Sequence, residues 1–278
     1  MCIVRSSSAL FSPRRASTLS GMCYVDRMNW RVDPYVPTPP PGEDELPYDD
    51  GEPLESDRHR KQMNVLTETL DVHWANRPDV FVGGNMFLYF SELQTKKNTF
   101  RGPDVFVVLN TVRRERKSWV VWQEERTPNV IIELLSPRTE AVDRGEKMRV
   151  YGRVLRVPEY YLYEPNSETF EAYRLDLGTS AYVRVDLELD GTCRSPSLGV
   201  QLAVREGNYG GLGGRWLRWT DGAGNVLPTE GEAAEREAEA ARKTSQAAEQ
   251  ELAATKAEAE RLRQVVAAYE ARFGTLSR

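Results

Sequence analysis

The chain has 278 residues, 40% of them hydrophobic and 28% charged, with a net charge of -5, a balance that suits a soluble globular domain with polar extensions. No run of about 18 apolar residues exists, which excludes a membrane-spanning helix. Three scattered cysteines (Cys2, Cys23, Cys193) and only two histidines exclude a disulfide framework and a multi-His zinc site, and point to a reducing, cytoplasmic setting.

Residues 1–45 read as a mobile extension. "YVPTPPPGEDELP" is Pro-rich and acidic and cannot form a core, and Met22 and Met28 are alternative starts. From Ser56 or Asp57, either of which can cap a helix, Met63, Leu66, Leu70 and Trp74 recur at spacings of three and four, which predicts an amphipathic helix. "DVFVGGNMFLYF" predicts strand broken at Gly83-Gly84. Val105–Leu109 predicts a strand with Asp104 at its entrance behind Gly102-Pro103, and "WVVWQ" (Trp119–Gln123) another. "PNVIIELLSP" predicts a buried strand, and "SPRTEAVDRGEKMRVYGRVLRV" a loop entering a helix. "EYYLYEP", "ETFEAYRL", "AYVRVDLEL" and "GVQLAV" alternate as strands between Pro-Asn-Ser, Leu-Gly and Asp-Gly turns, and "RWLRWTDGAGNVLP" predicts a last hairpin ending the globular part near residue 228. This order of elements predicts an α/β or α+β sheet. Between Glu232 and Phe273 there is no Pro or Gly, and apolar or small residues from Ala234 to Phe273 follow a heptad spacing. Residues 231–273 are thus either a pairing coiled coil or a single helix whose C-terminal end packs on the domain.

Glu133 is the most informative residue. It lies inside a run of Val, Ile, Ile, Leu and Leu, and a buried carboxylate is costly unless it is paired, hydrogen-bonded or bound to metal. Asp104 is the nearest candidate partner from another strand. Two close carboxylates repel, and a divalent cation relieves that repulsion. In the helix after Pro137, Asp143, Lys147 and Tyr151 stand at i, i+4 and i+8, along one face. Asp, Glu, metal and Lys are the parts for metal-assisted phosphodiester hydrolysis. Taken singly, Asp104 also reads as a turn residue and Lys147 as the exposed i,i+4 partner of Asp143. Residues 101–160 carry 12 Lys and Arg against 9 Asp and Glu, which allows a modest basic surface on an acidic chain.

"GPDVFVV", "VIIELLSP", "VDRGEKMRVYGR" and "VPEYYLYEP" resemble the successive motifs of the Uma-two-type endonucleases of the PD-(D/E)XK, restriction-endonuclease-like superfamily, and "LPYDDGEPLESDRHR" and "GGNMFLYF" resemble that family's opening. The resemblance spans residues 46–228. It implies a restriction-endonuclease-like α/β fold, a mixed central sheet flanked by helices, here with a C-terminal helical extension. It implies that Asp104 and Glu133 bind Mg²⁺ or Mn²⁺, that Lys147 assists catalysis with Asp143 and Tyr151 in support, and that the substrate is nucleic acid, DNA first. Glu55 and His59 are the candidates for a further polar group from the first helix region. The superfamily's usual lysine, two residues after the glutamate, is here Leu135; the resemblance implies that Lys147 in the following helix takes its place, and that Leu135 contributes packing and its backbone carbonyl as a metal ligand. Nucleases of this type commonly work as homodimers, with one site for each strand. The alternative is a non-catalytic, nuclease-like interaction protein acting through its tail.

Overall fold

Ser56 starts the first helix among the described residues. Its backbone is extended and its side chain accepts the N–H of His59 at 3.1 Å, an N-cap that satisfies one of the orphan donors of the first turn. Helix α1 follows (Asp57–His73) and buries Met63, Leu66, Leu70 and, just beyond its end, Trp74, as the spacing predicts. The computed structural model describes residues 40–47, 56–91 and 100–274, all within one compact unit that begins at Pro40. The proline-rich extension up to residue 39 and the candidate Glu55 lie outside the described residues.

After α1 come strands β1 (Val80–Gly84), β2 (Leu88–Tyr89), β3 (Phe100–Arg101), β4 (Val105–Leu109) and β5 (Trp119–Val120), then the single turn α2 (Val121–Glu124) and strand β6 (Val130–Leu134). A helical segment follows in three parts: α3 (Glu140–Val142), a π-helical turn (Asp143–Lys147) and α4 (Met148–Arg153). The chain continues through β7 (Glu159–Glu164), β8 (Thr169–Asp176), β9 (Ala181–Val185), β10 (Cys193–Arg194), β11 (Gln201–Tyr209) and β12 (Leu212–Thr220), and ends in the long helix α5 (Glu230–Phe273). The central sheet has the order β1-β4-β6-β7-β8-β9. Only β6 and β7 pair in parallel; the other neighbours are antiparallel. The helical segment makes the crossover that a parallel pair requires. Two three-stranded sheets, β3-β2-β5 and β10-β11-β12, accompany it. This is the mixed, helix-flanked sheet of the restriction-endonuclease-like fold with a C-terminal helical extension.

The central sheet is covered on both faces. Val105, Val107, Ile132 and Leu134 pack with α1, Leu202 and Trp219, while Phe106, Ile131, Leu135, Val150 and Tyr151 pack on the other side. A strand buried on both faces reads as a continuous apolar run, which explains Val130–Leu134. Gln62 ties α1 to β12 by accepting the N–H of Leu217 at 3.0 Å and donating to its carbonyl at 2.9 Å. Residues 40–47 pack beside α2, where Leu46 is buried with Phe87, Tyr89 and Val120.

Several local expectations change. Gly83-Gly84 does not break its strand. A Cβ on Gly83 would lie 2.4 Å from the ring of Phe106, so glycine is required there for close approach inside β1. The break comes at Asn85, in the left-handed region at φ 45°. "WVVWQ" is strand only over Trp119–Val120, because its partner β2 is two residues long. The chain then turns through α2, and the Trp122 indole N–H reaches the Pro41 carbonyl at 3.1 Å. The strand in "AYVRVDLEL" ends at Val185. "RWLRWTDGAGNVLP" is strand only over residues 215–220, the end of β12, whose partner is β11 across Gly210-Gly211; the turn after it closes a single bridge, Thr220 to Val226.

Helix α5 is anchored at its start by a capping box between Thr229 and Glu232, by Arg218 donating to both Glu232 oxygens at 3.0 and 2.6 Å, and by the Glu230 N–H on Glu68 at 3.1 Å. From Ala234 onward every described residue is exposed, so its C-terminal end does not pack on the domain. Among the described residues no helix is long and apolar enough to cross a membrane.

Candidate active site

Strands β4 and β6 place Asp104 and Glu133 together. Their register pairs Val105 with Ile132 and Phe106 with Ile131, so the next position outward sets Asp104 opposite Glu133. Directly opposed residues of an antiparallel pair share a face. Pro103 has no N–H to extend the ladder, and side chains take over there. The Leu134 N–H donates to Asp104 Oδ2 at 2.7 Å, and the Asp104 N–H reaches Glu133 Oε2 at 3.4 Å. Asp104 Oδ1 lies 2.8 Å from His59 Nε2. His59 is buried in the first turn of α1, so the Ser56 cap that starts the helix also positions this imidazole.

Glu133 is fully buried. Its Oε1 accepts the Tyr151 hydroxyl at 2.8 Å and its Oε2 accepts Lys147 Nζ at 2.9 Å. The same ammonium lies 2.8 Å from Asp143 Oδ1, in ionic contact but without a well-directed hydrogen bond. Asp143 and Lys147 are the two ends of the π-helical turn, a rare widening that often marks functional segments and that nothing in the sequence pattern announced. Tyr160 holds the turn by donating to the Asp143 carbonyl at 3.0 Å and meets Tyr151 edge-on at 5.5 Å. Arg144, within the turn, is bidentate to Glu171 in β8 at 2.6 and 3.1 Å. The structure therefore brings Asp104, Glu133, Asp143, Lys147, Tyr151 and His59 into one cluster. Lys147 is no exposed surface partner: its side chain is 15% exposed and bridges two buried carboxylates. Tyr160 was missed in the sequence, although the alternation of "EYYLY" puts it on the Glu133 face through its pairing with Ile131. Leu135 is buried against Ile131 and Tyr151.

Three carboxylates face one ammonium. Burial pushes the Glu133 carboxyl up to about 8; Lys147 opposes that rise, and the charges of Asp104 and Asp143 add to it. Burial likewise raises Asp143 against the pull of Lys147. For Lys147 burial works against the charge, but Glu133, Asp143 and Asp104 outweigh it and hold the ammonium protonated above its ordinary range. Fully ionised, the three carboxylates carry more negative charge than the one lysine offsets, which adds to burial in holding the Glu133 proton. Hard carboxylate oxygens with such a surplus suit Mg²⁺ or Mn²⁺. Among the described residues no three or more His, Cys, Asp or Glu side chains form a ready metal cage; the opposed Asp104 and Glu133 carboxylates are the two oxygen donors the site offers an ion such as Mg²⁺, which commonly takes one or two carboxylates and completes its shell with water. The cluster reaches solvent through Asp104 and Lys147, each 15% exposed, whereas Glu133 is at 1%. A cleft of about 530 Å³ lined by Asn64, Glu68, Asp71 and Tyr209 contains none of these residues.

Comparison with known proteins gives three findings. Residues 35–205, more than half of the chain, match the Uma2 family model, described as "Putative restriction endonuclease". An uncharacterized protein of Synechocystis sp. is 27% identical over 129 residues, covering 45% of this chain and 64% of that protein; the chain thus spans less than two thirds of that relative's length. A crystal structure described as a "putative nuclease belonging to DUF820", from Anabaena variabilis, aligns over 54% of this chain and 80% of that chain at 16% identity, with a TM-score of 0.39.

Proposed function

The chain belongs to the Uma2 family, and on that premise we propose that it is a metal-dependent nuclease hydrolysing phosphodiester bonds of DNA, with Asp104 and Glu133 holding Mg²⁺ or Mn²⁺ and Lys147 acting on the reaction. The observation that carries this reading is the convergence of the three side chains: Asp104 stands opposite Glu133 across β4 and β6, and Lys147 Nζ is 2.9 Å from the Glu133 carboxylate. A bound divalent cation would supply Lewis acidity at a phosphoryl oxygen and a more acidic water. The chain's own residues supply orientation and charge. The Leu134 N–H and His59 hold the Asp104 carboxylate, and the Tyr151 hydroxyl holds that of Glu133; such outer partners fix ligand geometry. Lys147, protonated and partly open to solvent, orients the attacking water or stabilises charge on the phosphorane-like transition state. Asp143 keeps Lys147 near Glu133. The basic excess over residues 101–160 suits a polyanionic substrate. Two strands of a duplex call for two such sites, which a homodimer supplies.

The test is incubation of the purified protein with plasmid, single-stranded DNA and RNA in Mg²⁺, Mn²⁺ or EDTA. Cleavage of DNA with either metal, and none in EDTA, is expected. Failure to cleave any substrate under all conditions would overturn the reading.

One observation favours a second reading, a nuclease-like domain that recruits a partner through α5. All four carboxylate oxygens of Asp104 and Glu133 already have donors within the chain. In that case the cluster holds β4, β6 and the π-helical turn together, and the protein neither binds Mn²⁺ tightly nor cleaves.

A further inference from the structure

We propose that α5 pairs with α5 of a second copy as a parallel, in-register, two-stranded coiled coil, which sets two copies of the globular unit side by side at one end of a rod. This specifies the homodimer of the reading above, but the pairing itself does not depend on nuclease activity.

Helix α5 is 44 residues long and, among the described residues, is held to its domain at its first turn. Toward the other end, Leu252, Leu262, Val266, Tyr269 and Phe273 are each between 53% and 65% exposed. Exposed apolar area of this kind favours association. The five residues lie on the heptad seam, Leu252, Val266 and Phe273 at its a positions and Leu262 and Tyr269 at its d positions. The β-branched Val266 at a and Leu262 at d favour two strands. The stripe therefore needs one partner of matching pattern, and a second copy presents it.

Orientation follows from size and from charge. All the large seam residues lie in the C-terminal half, while the seam from Ala234 to Ala248 holds only alanine and serine. A parallel, in-register pair sets Leu252 on Leu252 and Phe273 on Phe273. An antiparallel pair of full overlap sets Phe273 on Ala234 and Tyr269 on Ala238, leaving the large groups half covered. The flanking charges agree. In a parallel pair each residue just before an a position faces, on the partner, the residue five further along. Those pairs are Glu237 with Arg242, Glu251 with Lys256 and Glu258 with Arg263, all opposite in charge. The remaining two, Thr244 with Glu249 and Val265 with Glu270, set no like charges together. Antiparallel at full overlap, Glu235 meets Glu270, Arg242 meets Arg263 and Glu251 meets Glu258. Staggering by one heptad brings Lys256 onto Lys256 and Glu258 onto Glu258; two heptads bring Glu249 onto Glu270 and Lys256 onto Arg263. Of the registers compared, the parallel one alone sets no like charges together. The in-helix pair of Glu258 with Arg261, at 3.5 Å and exposed, is weak enough to yield.

At about 1.5 Å per residue the helix is roughly 66 Å long. Antiparallel pairing would separate the two globular units by about that length, whereas parallel pairing brings both helix starts together.

The test uses the full chain and reads mass and cross-links. Sedimentation equilibrium should give a dimer at micromolar concentration. Ala238→Cys and Ala259→Cys, made separately at exposed a positions, should each form a disulfide-linked dimer under mild oxidation while the parent chain does not, because only parallel pairing sets both positions against themselves. Glu251→Lys with Glu258→Arg should weaken the dimer about tenfold or more, and adding Lys256→Glu and Arg263→Glu should restore it. A monomer at all concentrations would overturn self-pairing. Cross-linking at only one of the two positions, or indifference to the charge changes, would overturn the parallel register. DNA cleavage, assayed separately, reports on the nuclease reading and on neither of these outcomes.

Discussion

Two glutamates are buried in the same sheet one strand apart, and their surroundings could hardly differ more. Glu159 in β7 accepts the hydroxyls of Tyr161 and Ser195, both at 2.6 Å, and the Ser197 N–H at 2.7 Å, with Arg174 more distant at 3.9 Å. Its neighbours are donors, so the carboxylate is satisfied where it sits, and it clasps β7 to the loop before β11. Glu133 in β6 faces the opposite side of the sheet. It has two good donors as well, but also two other carboxylates; burial first, and then those two charges, drive its pKa up to about 8 against the pull of Lys147. Burial of a carboxylate is therefore no mark of chemistry by itself. Like charges gathered around it, next to an opening to solvent, are what structure alone has no use for.

The largest separation of the two should come from metal. Asp104→Asn should abolish most Mn²⁺ binding in calorimetry and with it DNA cleavage, whereas Glu159→Gln should leave both intact. Unchanged Mn²⁺ affinity in Asp104→Asn would remove the distinction. Next is Lys147→Ala, expected to lower turnover by about a hundredfold, the loss typical of one transition-state donor. Since Lys147 bridges Glu133 and Asp143 inside the cluster, this variant should also lose about 1–3 kcal/mol in urea denaturation at pH 8, where two buried carboxylates are left without their cation. Full activity with the expected stability loss would make Lys147 a structural counter-ion only. Glu159→Ala should show the reverse pattern. About 1–3 kcal/mol of stability should go as Tyr161, Ser195 and Ser197 lose their acceptor, with cleavage per folded molecule within about twofold of the parent.

The smallest effect concerns pH. The folded chain keeps the Glu133 proton up to about 8, while the unfolded chain releases it near the ordinary 4.5. Between those values the folded state binds more protons, so metal-free stability falls as pH rises through this window. Glu133→Gln in EDTA should flatten that fall by at least about 1 kcal/mol between pH 5 and pH 8. Equal slopes in Glu133→Gln and the parent would show that Glu133 ionises normally.

Much of this could be read along the chain because it is local. The three- and four-residue spacing of Met63, Leu66 and Leu70, the unbroken apolar run of β6, the turns at Pro165-Asn166, Leu177-Gly178 and Asp190-Gly191, and the helical composition beyond Glu232 each report which side of an element meets the core. Asp104 at a strand entrance and Glu133 in mid-strand are of this kind too, and so is the i,i+4 spacing of Asp143 and Lys147. What tertiary structure alone decided depends on partners far away in sequence. The register of β4 on β6 set Asp104 opposite Glu133 and left the Leu134 N–H for Asp104 to accept. The docking of α1 brought His59 to Asp104, a contact across 45 residues. The close approach of Phe106 to Gly83 kept "VFVGG" in a strand that the glycines by themselves would end, and the shortness of β2 ended "WVVWQ" early. The π-helical turn likewise follows from its setting, with Tyr160 on the Asp143 carbonyl and Arg144 on Glu171. Periodicity states which face of an element is apolar, but pairing and charge environment are properties of two or more elements at once, and they exist only after those elements have met.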